Sequence, residues 1–167
     1  MLFRSNGIAL DPARQFIYYK ALTGRTLYRI PVNALIDESI TSDDLGKRVE
    51  TVAVTEPTDG IEFDAHGNLY LTAVEENAIK LLSPDGHIEF FARATNFSWP
   101  DNIALSDDGY LIFTAPQVHL MPAHNAGIDK RRPPYNIFRL KLTPQTRNAS
   151  HQTEFLQSTE FVATHHA

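Results

Sequence analysis

Apolar and polar residues alternate along short runs of this chain, and the runs come in pairs joined by tight turns. In Thr58–Ala73, TDGIEFDAHGNLYLTA, an Asp-Gly pair opens the alternating run Ile61-Glu62-Phe63. Asp64, His66 and Gly67 make the turn, and Asn68–Ala73 returns as a second run. Gly67 suits the turn because its missing Cβ lets φ go positive, and Ile/Phe against Leu/Leu gives the hairpin an apolar face. The unit recurs at Asn6, NGIALDPARQFIYY, and at Asp101, DNIALSDDGYLIFTA. Aligned on their first strands, Asn6, Asp59 and Asp101 occupy one equivalent position. An all-β unit repeating every roughly 40–50 residues predicts the blades of a β-propeller.

The remaining strands follow from the same reading. In the first unit Phe16–Lys20 and Thr26–Ile30 are strands, Asn33–Lys47 is a helical insertion, and Val49–Thr55 is the outer strand. Thr41 or Ser42 is placed to cap a helical turn starting at Asp43-Asp44, with Gly46 closing it. The second unit adds Ala78–Leu82, the turn Ser83-Pro84-Asp85-Gly86 and His87–Ala92. The third runs through Tyr110–Ala115, Tyr135–Leu142 and a fourth strand at His151–Leu156, with Thr164–Ala167 as a frayed end. Between them Pro116–Pro134 lacks periodicity, and a connection of that length in a compact domain is usually functional or disordered. The fold class is therefore all-β: one partial propeller domain over 1–167, about three four-stranded blades at approximately 4–56, 57–98 and 99–157.

Composition narrows the partners. A net charge of −5 and a pI near 5.8 argue against nucleic acid, whose protein partners usually carry a basic patch. No apolar run approaches the roughly 18 residues of a membrane span. MLFRSNG has no apolar signal-peptide core, so no signal peptide is expected and the compartment stays open. The chain has no cysteine, which removes disulfides and thiolate chemistry.

The chemistry sits where the blades converge. Propellers gather their innermost strands around a channel, so Asn6, Asp59 and Asp101 or Asn102 should meet at one mouth. Their carboxylate and amide oxygens suit Ca²⁺, a hard cation taking 6–8 oxygen ligands. Asx-Gly pairs equally serve turns, with the side chain capping backbone N–H groups, and that reading stays open for Asn6 and Asp59. Asp11, Asp64 and Asp107-Asp108 follow the strands and are assigned to turns. His119, His124 and Asp129 are zinc-capable residue types in an irregular loop, without a second cluster to complete a set. Ser98 has no nucleophile-elbow context.

Four blocks carry a family resemblance: the NGIAL opening, YYKALTGRTLYRIPVNAL, TDGIEFDAHGNLYLTAVEENAIKLLSPDG and WPDNIALSDDGYLIFTA. Together they resemble the Yellow and major royal jelly protein family, whose bacterial members group with gluconolactonases and senescence-marker lactonases. The resemblance covers most of residues 4–142. It implies a six-bladed propeller, of which this chain supplies about three later blades. It further implies metal ligation by Asn6 and Asp59, a proton-accepting catalytic role for Asp59, and a small-molecule ligand lined by Asp101 and Asn102. The lactonases' ligating Glu has no counterpart here. Two function classes follow: a metal-assisted hydrolase, or a small-molecule binder without turnover, with an incomplete gene product as a third. A homodimer, or N-terminal blades from elsewhere, is the expected way to complete the ring.

Overall fold

The structure, a computed structural model, describes residues 5–142 and 160–165. They build three four-stranded antiparallel sheets in sequence order. The first comprises β1 (Ser5–Leu10), β2 (Phe16–Ala21), β3 (Thr26–Pro31) and β4 (Glu50–Val54). The second comprises β5 (Thr58–Phe63), β6 (Leu69–Ala73), β7 (Ala78–Leu82) and β8 (Ile88–Arg93). The third comprises β9 (Ile103–Leu105), β10 (Tyr110–Ala115), β11 (Tyr135–Lys141) and β12 (Glu160–His165).

The turn after each innermost strand is built by one device. Asp11 Oδ1 accepts from the N–H groups of Gln15 and Phe16, both at 2.7 Å. Asp64 Oδ1 accepts from those of His66 and Asn68, both at 2.9 Å. Ser106 Oγ accepts from the Tyr110 N–H at 3.1 Å. The turn's last residue is left-handed in each case: Arg14 (φ 56°), Gly67 (φ 83°) and Gly109 (φ 81°). A side-chain oxygen caps the turn, and the αL residue reverses the chain.

The helical insertion is present as two short helices, α1 (Val32–Ile36) and α2 (Ser42–Gly46), and one expected element needs correction. Asp37 breaks the run by accepting from the Ser39 N–H and hydroxyl at 2.9 and 2.6 Å. Thr41 caps α2 through the Asp44 N–H at 3.2 Å. The fourth strand of the third sheet is β12, so Thr164 and His165 pair with β11 rather than fray. The strand expected at His151–Leu156 lies outside the described residues.

Each apolar core lies between neighbouring sheets. Leu27 and Ala9 of the first sheet pack on Ile61, Leu69, Leu71 and Leu82 of the second. Tyr70, Ile79 and Leu81 of the second pack with Leu111, Phe113, Phe138 and Leu140 of the third, around a fully buried Phe97. β1 packs along β5, and β5 along β9, so the innermost strands lie side by side.

Glycine makes that approach feasible. A Cβ at Gly7 would stand 3.1 Å from the Asp59 carbonyl oxygen, and one at Gly60 only 2.5 Å from that of Asp101 and 3.2 Å from the Ile103 nitrogen. Backbone neighbours cannot swing aside. Gly60→Ala is therefore expected to lower unfolding free energy by about 2–3 kcal/mol in urea, Gly7→Ala by less. Gly46 has no atom within 4 Å of its would-be Cβ, so Gly46→Ala should be neutral or slightly stabilising in α2. Equal effects at all three positions would reject the close-approach argument.

Candidate functional site

The mouth of the inner strands is formed by two irregularities in the ladders. Pairing of β1 with β2 shifts between Ser5 and Gly7, and pairing of β5 with β6 shifts between Thr58 and Ile61. Asn6 and Asp59 sit on these bulges, which re-aim a side chain at a strand's end. At the second bulge Thr72 Oγ1 accepts from the Asp59 N–H at 3.1 Å and the Gly60 N–H at 2.8 Å, replacing the lost ladder bonds. At the matching place in the first sheet, fully buried Lys20 reaches outward. Its ammonium donates to Thr55 Oγ1 and, at 2.7 Å, to the Glu56 carbonyl, tying β2 to the crossover into β5. Burial pushes that ammonium down to about 8.

The aligned residues of the three sheets meet. Asn6 Nδ2 donates to Asp59 Oδ1. The carboxyls of Asp59 and Asp101 are hydrogen-bond partners, and the Asn102 backbone N–H donates to Asp101. Asp59 is buried, Asp101 half-buried, and Asn6 exposed. Asn102 takes the position held by Gly7 and Gly60 in the other sheets, with an exposed side chain. Its carbonyl accepts from the Thr114 N–H at 3.2 Å.

Burial pushes the Asp59 carboxyl up, opposed by hydrogen bonds from Trp99 and Asp101. Burial, the Asp59 charge and their shared hydrogen bond push Asp101 up to about 6. Two carboxyls in contact hold a proton between them because like charges resist ionising together. The folded pair thus keeps its proton above the ordinary carboxylate range. The associated stability is full near pH 4 and lost as pH rises through 6. Asp101→Asn removes the second charge while keeping the hydrogen bond. It should be more stable than wild type by about 1–2 kcal/mol at pH 7.5, after discount for partial exposure. Urea unfolding without divalent ions should show that gap closing by pH 4; a gap independent of pH would reject the shared proton.

Trp99, which precedes the third innermost strand, also reaches the site. Its indole Nε1–H donates to Asp59 Oδ2 at 2.8 Å. The imidazole of His119 stacks on the indole, with centroids 5.7 Å apart and an interplanar angle of 15°. The Trp-Pro-Asp spacing was the available signal, because it delivers an indole and a carboxyl from one segment to the same neighbour.

His119 comes from the long connection 116–134, which closes on itself. Gln117 is buried and left-handed (φ 58°); its side-chain amide donates to the Arg132 carbonyl at 2.9 Å and accepts from its N–H at 2.8 Å. The Lys130 N–H reaches the Leu120 carbonyl at 2.9 Å. Such end-to-end closure makes an Ω-type loop. The Gln117 N–H also bonds the Ser98 carbonyl at 3.2 Å, fastening the loop beside Trp99. The zinc-capable trio does not assemble: Asp129 is engaged by Arg131 at 2.6 Å and His119 by Trp99. Among the described residues no three His, Cys, Asp or Glu side chains are grouped to hold a metal.

No protein-family model matches the sequence, and no curated protein matches it significantly. Solved structures do match its shape. A gluconolactonase of Xanthomonas campestris superposes with a TM-score of 0.58 at 21% identity, over 81% of this chain and 43% of that one. Virginiamycin B lyase of Staphylococcus aureus gives 0.55 at 16% identity, over 83% and 38%. The calcium-binding protein regucalcin of Agrobacterium tumefaciens gives 0.52 at 20% identity, over 74% and 42%. The fold is part of a β-propeller. The chain spans about two fifths of the length of these structures, each of its sheets being one blade. Among the described residues no helix is long and apolar enough to cross a membrane.

Proposed function

We propose that the protein is a metal-assisted hydrolase of small esters, lactones first among them, acting where Asn6, Asp59 and Asp101 meet. One observation carries this reading: residues at equivalent places in three blades converge on a single buried carboxylate. Likeness to a gluconolactonase and to a calcium-binding protein supports it. Fold alone does not choose the chemistry, since a lyase shares it.

The residues present fit a calcium ion in kind. The donors are the Asn6 amide and the Asp59 carboxylate, both able to present oxygen to a hard cation. Asn6 and Asp59 would hold the ion, with Asp101 beside them. When bound, it would polarise the ester carbonyl. The chain's own groups supply the proton traffic. Asp59 accepts a proton from water as that water's oxygen bonds to the carbonyl carbon. Asp101, in its protonated form, donates to the alkoxide oxygen as the ester C–O bond breaks. Asn102, whose side chain is exposed, is assigned to ligand binding beside Asp101.

A second reading is ligand binding without turnover, in the manner of the Yellow and royal jelly family. It is favoured by Asp59 having side-chain donors on both oxygens. Release of hydroxy acid from a panel of sugar lactones and aryl esters, with calcium and with chelator, decides between them. Calcium-dependent turnover supports the hydrolase, and saturable binding without turnover the second reading.

A further inference from the structure

Asp59 uses its two oxygens differently. Oδ1 faces Asn6, whereas Oδ2 is taken by the Trp99 indole N–H at 2.8 Å. Trp99 reaches that oxygen from a left-handed backbone, φ 62°. A bulky non-glycine residue in this region costs about 1–3 kcal/mol and persists only where its surroundings hold it. Those surroundings are visible. Pro100 is fully buried, the Trp99 N–H points to Asn77 Oδ1 at 3.4 Å, and the Ser98 carbonyl is bonded by Gln117. The His119 imidazole stacks on the ring, the two planes nearly parallel. His119 is exposed and stands outside the apolar core, where its imidazole meets Trp99 and the charge of His124.

We propose that Trp99 is a positioning residue which reserves Asp59 Oδ1 for the site by occupying Oδ2, and that His119 clamps it there, coupling the 116–134 loop to the carboxylate. This rests on the reading of Asp59 as the working group of the site. A neutral N–H donor fixes the carboxylate's plane without adding charge, and outer partners of this kind orient a ligating oxygen. The stacked imidazole restrains indole rotation, so loop displacement loosens the bond to Oδ2.

Trp99 is the chain's single tryptophan, so its indole N–H gives one resolved NMR cross-peak in the full chain. Its solvent-exchange rate should rise at least about tenfold in Asp59→Ala and severalfold in His119→Ala, the latter an exposed substitution that leaves the core intact. In Trp99→Phe, which keeps the ring stack but lacks the donor, calcium affinity by calorimetry should fall about 10–100-fold. Unchanged indole exchange in either Asp59→Ala or His119→Ala overturns the proposal, as does undiminished calcium affinity in a folded Trp99→Phe. Failure of the wild type to bind calcium removes the metal reading above. The two exchange measurements still decide the roles of Trp99 and His119.

Discussion

Asp59→Ala is expected to lower kcat for lactone hydrolysis by about 10²–10⁴-fold, the range supplied by a positioned general base. The size follows from how much converges on this side chain. It is the acceptor for Asn6 and Trp99 and the hydrogen-bond partner of Asp101, whose assigned task is the opposite one of proton donor. Folding should survive, because the backbone N–H groups of Asp59 and Gly60 are held by Thr72 rather than by the carboxylate. Asn6→Ala should act mainly on calcium affinity, leaving saturated kcat less affected. Chelator should reduce the wild type to the level of Asp59→Ala. Retention of wild-type turnover in a folded Asp59→Ala protein would place the chemistry elsewhere.

Much of this architecture was legible in the amino-acid order. Short-range turn chemistry gave the repeats away: Asp64 to Gly67 and Ser106 to Gly109 are local devices whose residues lie within a few positions. Alternation then set which side chains face a neighbouring blade, and Ile61, Leu69 and Leu71 are buried accordingly. Equivalence of Asn6, Asp59 and Asp101 in the repeat was enough to place them together. Two things were not legible. The insertion broke into two helices because Asp37 and Ser39 satisfy each other locally, a competition that helical patterning does not record. Trp99 and His119 were hidden for a different reason. Their pairing spans the long loop, whose closure depends on the buried, left-handed Gln117 and its grip on the Arg132 backbone. No local signal encodes that closure.

The chain of residues 1–167, purified alone, is expected to self-associate at micromolar concentration through the free face of its first sheet. Cross-strand pairing puts Ile8 beside Tyr19, Leu10 beside Ile17, and Tyr19 beside Tyr28 on the face turned away from the second sheet. Ile8 is 65% exposed and Leu10 45%, although both lie on an innermost strand. The opposite face of that sheet buries Ala9 and Leu27 in the neighbouring core. The far face of the third sheet is different in kind. Ile112 pairs with Arg139, and both Arg139 and Lys141 lie over the Tyr110 ring, at 5.0 and 4.4 Å. At its inner edge, Asn102 stands where Gly7 and Gly60 admit a close backbone. Apolar surface gains about 25 cal/mol per Å² on burial, whereas covering paired cations carries a desolvation cost. The first-sheet face should therefore meet its own copy in a two-fold dimer, in preference to the end-to-end joint that would imitate a six-bladed ring. Sedimentation equilibrium should show dimer in the wild type and monomer in Ile8→Lys/Leu10→Lys. In Arg139→Leu, the end-to-end joint should gain and give larger assemblies. A wild type that stays monomeric and unfolds cooperatively would show that this apolar face is stable in water, and the pairing argument would fall.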